Sequence, residues 1–265
     1  MLTLEYYLKR YENPFDAFYV LEKMDAGVCV LDPETLAFRY LNQKACTFLG
    51  YEKHQLLGRN SLEIVPEHYL NVWEKHRNTL DHVGHYGWMD IALCNAQGKE
   101  LPARFKGHYA KHGDDDVLLS TMQWDSLPAR SAHPTTETFC KNVDAMMVGE
   151  LDFDPEWLMD NLALGVGVAS ADGLIRYVNR VHADWLGYDP NEMLGKPNLD
   201  FIHPDAARDP TVTHKFLSVL SLGYYDWFEV PAQRKNSEPV KIRARGTLEK
   251  FHNRKCVVGL FDRLD

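Results

Sequence analysis

The 265-residue sequence predicts an α+β protein: two domains of one design, each a five-stranded antiparallel sheet flanked by helices, preceded by an N-terminal helical segment. Three observations lead there. A long internal repeat pairs special residues across the chain, each copy carries the same order of strand-like and helix-like runs, and helix start and stop residues recur at matching places.

The repeat comes first because it sets the domain count. GVCVLDPETLAFRYLNQKACTFLGYEKHQLLG begins at Gly27, and GVGVASADGLIRYVNRVHADWLGYDPNEMLG begins at Gly165. Asn42/Asn179, Gly50/Gly187, Tyr51/Tyr188 and Gly58/Gly195 are paired at one constant offset. Tyr86/Tyr225, Trp88/Trp227, Asp90/Glu229, Arg104/Arg243 and Gly107/Gly246 are paired at a slightly longer one. Small register changes belong in turns, which absorb length differences that strands do not. A period this long means two whole domains rather than a solenoid.

Within each copy the elements follow in order. Residues 28–31 and 166–169 read as short apolar strands, and 38–41 and 175–178 as second strands. Asn42 and Asn179 stand where strand gives way to helix, as N-caps; Gly50 and Gly187 end those helices. A longer helix follows, with Tyr69, Trp73, His76 and Leu80 on one face in the first copy and Val212, Phe216, Val219 and Leu220 in the second. Strand-like runs 88–94, 101–109 and 117–124, then 227–233, 240–248 and 256–261, complete each unit. The expected bounds are an N-terminal helical segment 1–24, a first domain 25–126, a partly helical linker 127–154 and a second domain 155–265. Asp154-Pro155-Glu156 supplies a cap, a proline at the first helical position and an acidic first turn.

Composition narrows the function classes. A formal net charge of -9 argues against nucleic acid as a partner. The five cysteines are scattered, with no C-x-x-C pair, which suits free thiols in a reducing cytoplasm. No apolar run approaches the length that crosses a bilayer, so no membrane insertion is expected. No G-x-S-x-G, H-E-x-x-H, P-loop or Rossmann fingerprint occurs and no metal-ligand spacing is found, so neither an enzyme nor a metal site is expected. Asp114-Asp115-Asp116 reads as an exposed hairpin turn.

Strand, turn, strand, Asn, short helix, Gly-Tyr, polar segment and Leu-Gly together resemble the PAS family. The motif stands here as RYLNQKACTFLGYEKHQLLG and RYVNRVHADWLGYDPNEMLG. GWMDIALCNAQGKELPAR is similar to that family's central hairpin, and FIHPDAA to its H-P-D segment, expected to be a turn and helix cap. The resemblance covers about residues 20–125 and 155–265. It implies a pocket between helices and sheet, and an output carried through the sheet surface and flanking helices.

The resemblance also sorts the cofactors. Flavin photosensors of the family carry a reactive cysteine in the segment that reads Gly58-Arg59-Asn60-Ser61-Leu62 here, and Asn198 stands there in the second copy. Neither offers a thiolate, which argues against a cysteine-adduct flavin. The family's heme-ligating histidine position holds Trp73 and Val212, which argues against heme. Non-covalent flavin or another planar ligand stays compatible, so the cofactor is left open. The candidate binding residues are the aromatics Trp73, Trp88, Trp185 and Trp227, with His76 and Asn198 as polar tips.

The expected function is a cytoplasmic sensory or signal-transduction module that binds a small ligand in at least one pocket and relays the change to a partner or effector domain. The alternative is a protein-interaction or dimerisation module with packed, ligand-free pockets. A stripe of Leu4, Tyr7, Leu8 and Tyr11 at helical spacing suggests a homodimer.

Overall fold

The computed structural model describes Phe15 and residues 17–124, 153–251 and 254–264. The apolar stripe at Leu4–Tyr11 and all but the last two residues of the linker expected at 127–154 lie outside them. Two five-stranded antiparallel sheets result, with strand orders β2-β1-β5-β4-β3 and β7-β6-β10-β9-β8. In the first, β1 is Gly27–Leu31, β2 Phe38–Leu41, β3 His85–Cys94, β4 Glu100–His112 and β5 Asp115–Gln123. In the second, β6 is Gly165–Ser170, β7 Ile175–Val178, β8 Tyr224–Gln233, β9 Pro239–Phe251 and β10 Arg254–Arg263. The last three strands of each sheet run longer than their apolar cores, because antiparallel pairing carries the hairpins on into polar residues.

Helix α1 is Ala17–Lys23; α2 (Gln43–Leu49), α3 (Lys53–Leu56) and α4 (Leu70–Val83) follow in the first copy. Helix α5 is Pro155–Asp160, and the second copy continues with α6 (Arg180–Leu186), α7 (Pro190–Met193), α8 (Pro204–Arg208) and α9 (Pro210–Leu222). The caps fall where the residue types demanded. Asn42 Oδ1 accepts from Ala45 N–H at 3.1 Å, Asn179 Oδ1 from His182 N–H at 3.1 Å, and Gly50 and Gly187 take left-handed φ of 70° and 75°. Both asparagines do more than cap. Their oxygens also accept from Val28 and Val166 N–H, and their amides donate to Ala26 and Leu164 C=O, so each welds a helix start to the first strand of its sheet.

In each copy one sheet face packs under the helices. Leu41, Phe48, Leu49, Ile64, Trp73 and Met89 belong to the first core, and Val178, Leu186, Phe201, Val219 and Ile242 to the second. On α9 the inward stripe is Val212, Phe216 and Val219. Leu220, expected on that face, is instead 48% exposed, since one step of about 100° carries it past the edge of the contact.

The opposite sheet faces are buried as well: Val28, Val30, Val117 and Leu119 in the first, Val166, Val168, Val258 and Leu260 in the second. That is why β1 reads as a continuous apolar run instead of an alternating one. The helix flanking each outer face is not the one that chain order suggests. By contacts the described residues divide into 26–124 with 153–163, and a discontinuous unit that joins Phe15 and residues 17–25 with 164–251 and 254–264. Phe15 packs at 5.6 Å on Phe251 of β9, and Asp25 pairs with Arg245 of β9 at 2.7 Å, so α1 goes with the second sheet. Phe153 and Trp157 meet His112 of β4 at 5.0 and 4.7 Å, Arg39 of β2 lies over Phe153, and the His108 ring hydrogen-bonds the Asn161 backbone. Helix α5 therefore goes with the first sheet. The bounds 25–126 and 155–265 mark the two copies of the repeat, whereas the compact units are set by these contacts.

Candidate functional site

Between helices and sheet each copy holds a small cavity. The first measures about 50 Å³ and is walled by Cys29, Leu31, Ile64, Trp73, Met89 and Met122, among others. The second measures about 60 Å³, with walls from Ile175, Met193, Phe201, Phe216, Val257 and neighbours. Both are well below the size usual for a drug-sized ligand. A flavin or heme would require these side chains to move apart.

In the first cavity Tyr86 lies flat across Gly107, where an added Cβ would come within 2.7 Å of its hydroxyl. That hydroxyl is 3.3 Å from Ser120 Oγ, and burial pushes its pKa up to about 12. Cys29 is also driven upward, by burial first and the neighbouring Cys46 second, so it stays a thiol. The indole Nε1 of Trp73 is buried there without a hydrogen-bond acceptor. Ser61 and Leu62 close one end.

In the second cavity Tyr225 crosses Gly246 in the same way, its ring 2.5 Å from an added Cβ. It packs edge-to-face with Phe216 at 5.3 Å and Phe228 at 5.6 Å. His182, on α6, stacks at 4.0 Å and 18° on Phe261. Burial lowers its pKa to about 3, so the imidazole is neutral at neutral pH, and Nδ1 has no partner. Asn198 borders this cavity at its half-buried end.

The six residues singled out from sequence therefore separate. Trp73 lines the first cavity and Asn198 the second. His76 is next to the first, with its ring 5.9 Å from Tyr86 and its pKa lowered by burial and then Lys75. Trp185 touches His182 edge-on but borders an open surface groove with Arg234, Lys235 and Arg263. Trp88 and Trp227 line neither cavity: Arg104 lies over the first at 5.2 Å and Arg243 over the second at 4.8 Å. The cause is a register break between Tyr86 and Met89, and between Tyr225 and Phe228, which interrupts strand alternation at the tryptophan. Sequence reasoning missed His182 and Tyr225 as site residues. The signal was available in the repeat, where His182 falls at the position of Ala45.

The His203-Pro204-Asp205 segment is a helix cap, with His203 Nδ1 accepting from Asp205 N–H at 3.4 Å. The acidic run ends a hairpin, Asp115 pairing with Arg39 and Asp116 with Lys111. Among the described residues no group of three or more His, Cys, Asp or Glu is placed to hold a metal, and no helix is long and apolar enough to cross a membrane.

The family model for the PAS fold matches residues 19–110 and 154–224, more than half of the chain. The chain belongs to the PAS family. No curated protein matches its sequence. Among solved structures, a PAS domain of an HTR-like protein from Haloarcula marismortui is 23% identical, with 41% of this chain and 93% of that chain covered and a TM-score of 0.36. A PAS domain of a protein from Colwellia psychrerythraea is 15% identical, with 48% and 97% covered and a TM-score of 0.37. An RNA-binding light-oxygen-voltage receptor is 12% identical, with 90% and 95% covered and a TM-score of 0.35. In both PAS domains of this chain the cavity has the same place, beneath the long helix and against the central strands.

Proposed function

We infer that this tandem PAS protein is a sensory or signal-transduction module that binds a small molecule in at least one of its two cavities. The observation that carries the reading is a pair of apolar cavities, each bordered by a buried polar nitrogen without a partner: Trp73 Nε1 in the first and His182 Nδ1 in the second. Such groups are costly to bury unless something binds them. The route outward is the sheet. Tyr86 and Tyr225 touch the cavity on one face, and their strands pair with those whose outer face α5 or α1 flanks. A change of cavity contents would reach a partner or effector domain by that path, in a cytoplasmic setting and from a homodimer.

A second reading, a protein-interaction module, is favoured by α9. Leu217 and Leu220, neighbours one helix turn apart and 57% and 48% exposed, form an apolar edge where the first copy has the polar Asn78 and Asp81. Native mass spectrometry beside a denatured control separates the two. A non-covalent ligand that leaves on denaturation supports sensing. Identical masses together with a stable complex to a protein partner would favour interaction.

A further inference from the structure

The duplication makes the two cavities a comparison in which the scaffold is held constant. On the central strands of the first, Cys29 faces Ser120, and Ser120 takes up the hydroxyl of Tyr86. The same pair in the second is Gly167 and Gly259. Tyr225, the counterpart of Tyr86, therefore has no serine to meet. It is 4% exposed, borders the cavity, and its hydroxyl has no hydrogen bond among the described residues.

A second difference reinforces the first. Met122 is replaced by Phe261 and Ala45 by His182, and the phenyl ring settles over the two glycines. An added Cβ at Gly259 would lie 2.9 Å from it. The imidazole stacks on that ring with Nδ1 unpartnered and, being neutral, presents one acceptor nitrogen and one N–H. The first domain thus consumes its tyrosine hydroxyl internally, and the buried nitrogen it leaves without a partner is the Trp73 N–H, a donor. The second leaves the Tyr225 hydroxyl and the His182 imidazole, neither hydrogen-bonded among the described residues, along one apolar cavity.

Size, charge and access define what fits. No Asp, Glu, Lys or Arg lines the second cavity, so a charged ligand would lose its hydration without a counter-charge. Its volume of about 60 Å³ is roughly twice the share of one water molecule in the liquid. Gly167, Ala169, Val257 and Phe261 are only partly buried, whereas Cys29, Ser120 and Met122 in the first cavity are buried.

We propose that the second cavity is the sensing site and takes an uncharged molecule of a few non-hydrogen atoms, a small primary amide or short alcohol, which donates a hydrogen bond to the His182 imidazole and accepts one from the Tyr225 hydroxyl. This rests on the sensory reading and narrows it to one domain and one ligand class. The apolar remainder of the ligand packs against Ile175, Met193 and Phe201.

The test is a titration of the isotope-labelled full-length chain with acetamide and, separately, with acetate, which has the same shape and a charge, followed by NMR. Acetamide is expected to shift the His182 imidazole and the Gly167 and Gly259 amide signals, and acetate to leave them in place. Tyr225→Phe should weaken acetamide binding roughly fivefold, the effect of one hydrogen bond, and Tyr86→Phe should leave it unchanged. Acetate binding as tightly as acetamide overturns the proposal, as does indifference to Tyr225→Phe. Shifts confined to Cys29 and the Trp73 indole also overturn it but leave the sensory reading standing. No response in either domain, with a different ligand in the native mass spectrum, overturns the ligand class alone; no response and no ligand overturns both.

Discussion

The pairing of α1 with the second sheet can be tested at one ion pair. Asp25 follows α1 and meets Arg245 of β9 at 2.7 Å, with side-chain exposures of 2% and 4%. Asp25→Asn keeps the volume and removes the charge that faces the buried guanidinium. Breaking a buried pair from one side costs about 3–5 kcal/mol, because desolvation of the remaining charge is no longer offset. Replacing both partners, as in Asp25→Leu/Arg245→Met, removes the guanidinium as well and should recover part of the loss. The assay is equilibrium urea unfolding, followed by domain-resolved NMR signals: Gly167 and Gly259 for the second sheet, Cys29 and Ser120 for the first. Asp25→Asn should lower the stability read at the second sheet by about 3 kcal/mol and leave the first within about 0.5 kcal/mol. Added salt should change the difference little, since a buried pair is poorly screened. If Asp25→Asn unfolds the first sheet preferentially, or costs less than about 0.5 kcal/mol at the second, the assignment of α1 is refuted.

Other outcomes follow from the same contacts. Asn179→Ala removes an acceptor shared by Val166 and His182 N–H and a donor to Leu164 C=O, and should cost about 3 kcal/mol in the second domain, measured by the same unfolding experiment. Asn42→Ala should do the equivalent to the first domain. Gly246→Ala places a methyl group 2.5 Å from the Tyr225 ring and should destabilise by about 1–3 kcal/mol, with the ring signals of Tyr225 displaced in NMR spectra. His182 adds a pH dependence whose sign is fixed by its depressed folded-state pKa. The unfolded chain takes up a proton near the ordinary value of 6.5 and the folded chain does not until about 3, so stability is full above 6.5 and falls as pH drops through that window. His182 should contribute up to about 1.4 kcal/mol per pH unit to that slope, read as the difference in urea midpoints between the wild type and His182→Phe at a series of pH values, while His76 and His108 add to both proteins in the same direction.

Local chemistry determined much of this protein. The twin N-cap asparagines, the glycines that stop α2 and α6 with positive φ, and the Asp154-Pro155 start of α5 are set by residues within a few positions, so they were legible in the sequence. The strand count and core faces were legible because side-chain periodicity follows burial. Only the tertiary structure decided the rest. Trp88 and Trp227 leave the cavities because a bulge breaks the alternation that a sequence pattern assumes. Phe15 and residues 17–25 join the second sheet, and residues 153–163 the first, through contacts between segments far apart in the chain, such as Asp25 with Arg245 and Phe153 with His112. No propensity encodes those partners, because an apolar helix face fits any apolar sheet face and the choice is made by the buried ion pair and the packed rings. The polar groups of the second cavity have the same origin. His182 and Tyr225 are ordinary residue types, and Tyr225 lacks the partner that Tyr86 has because the strand position of Ser120 is Gly259 in the second copy.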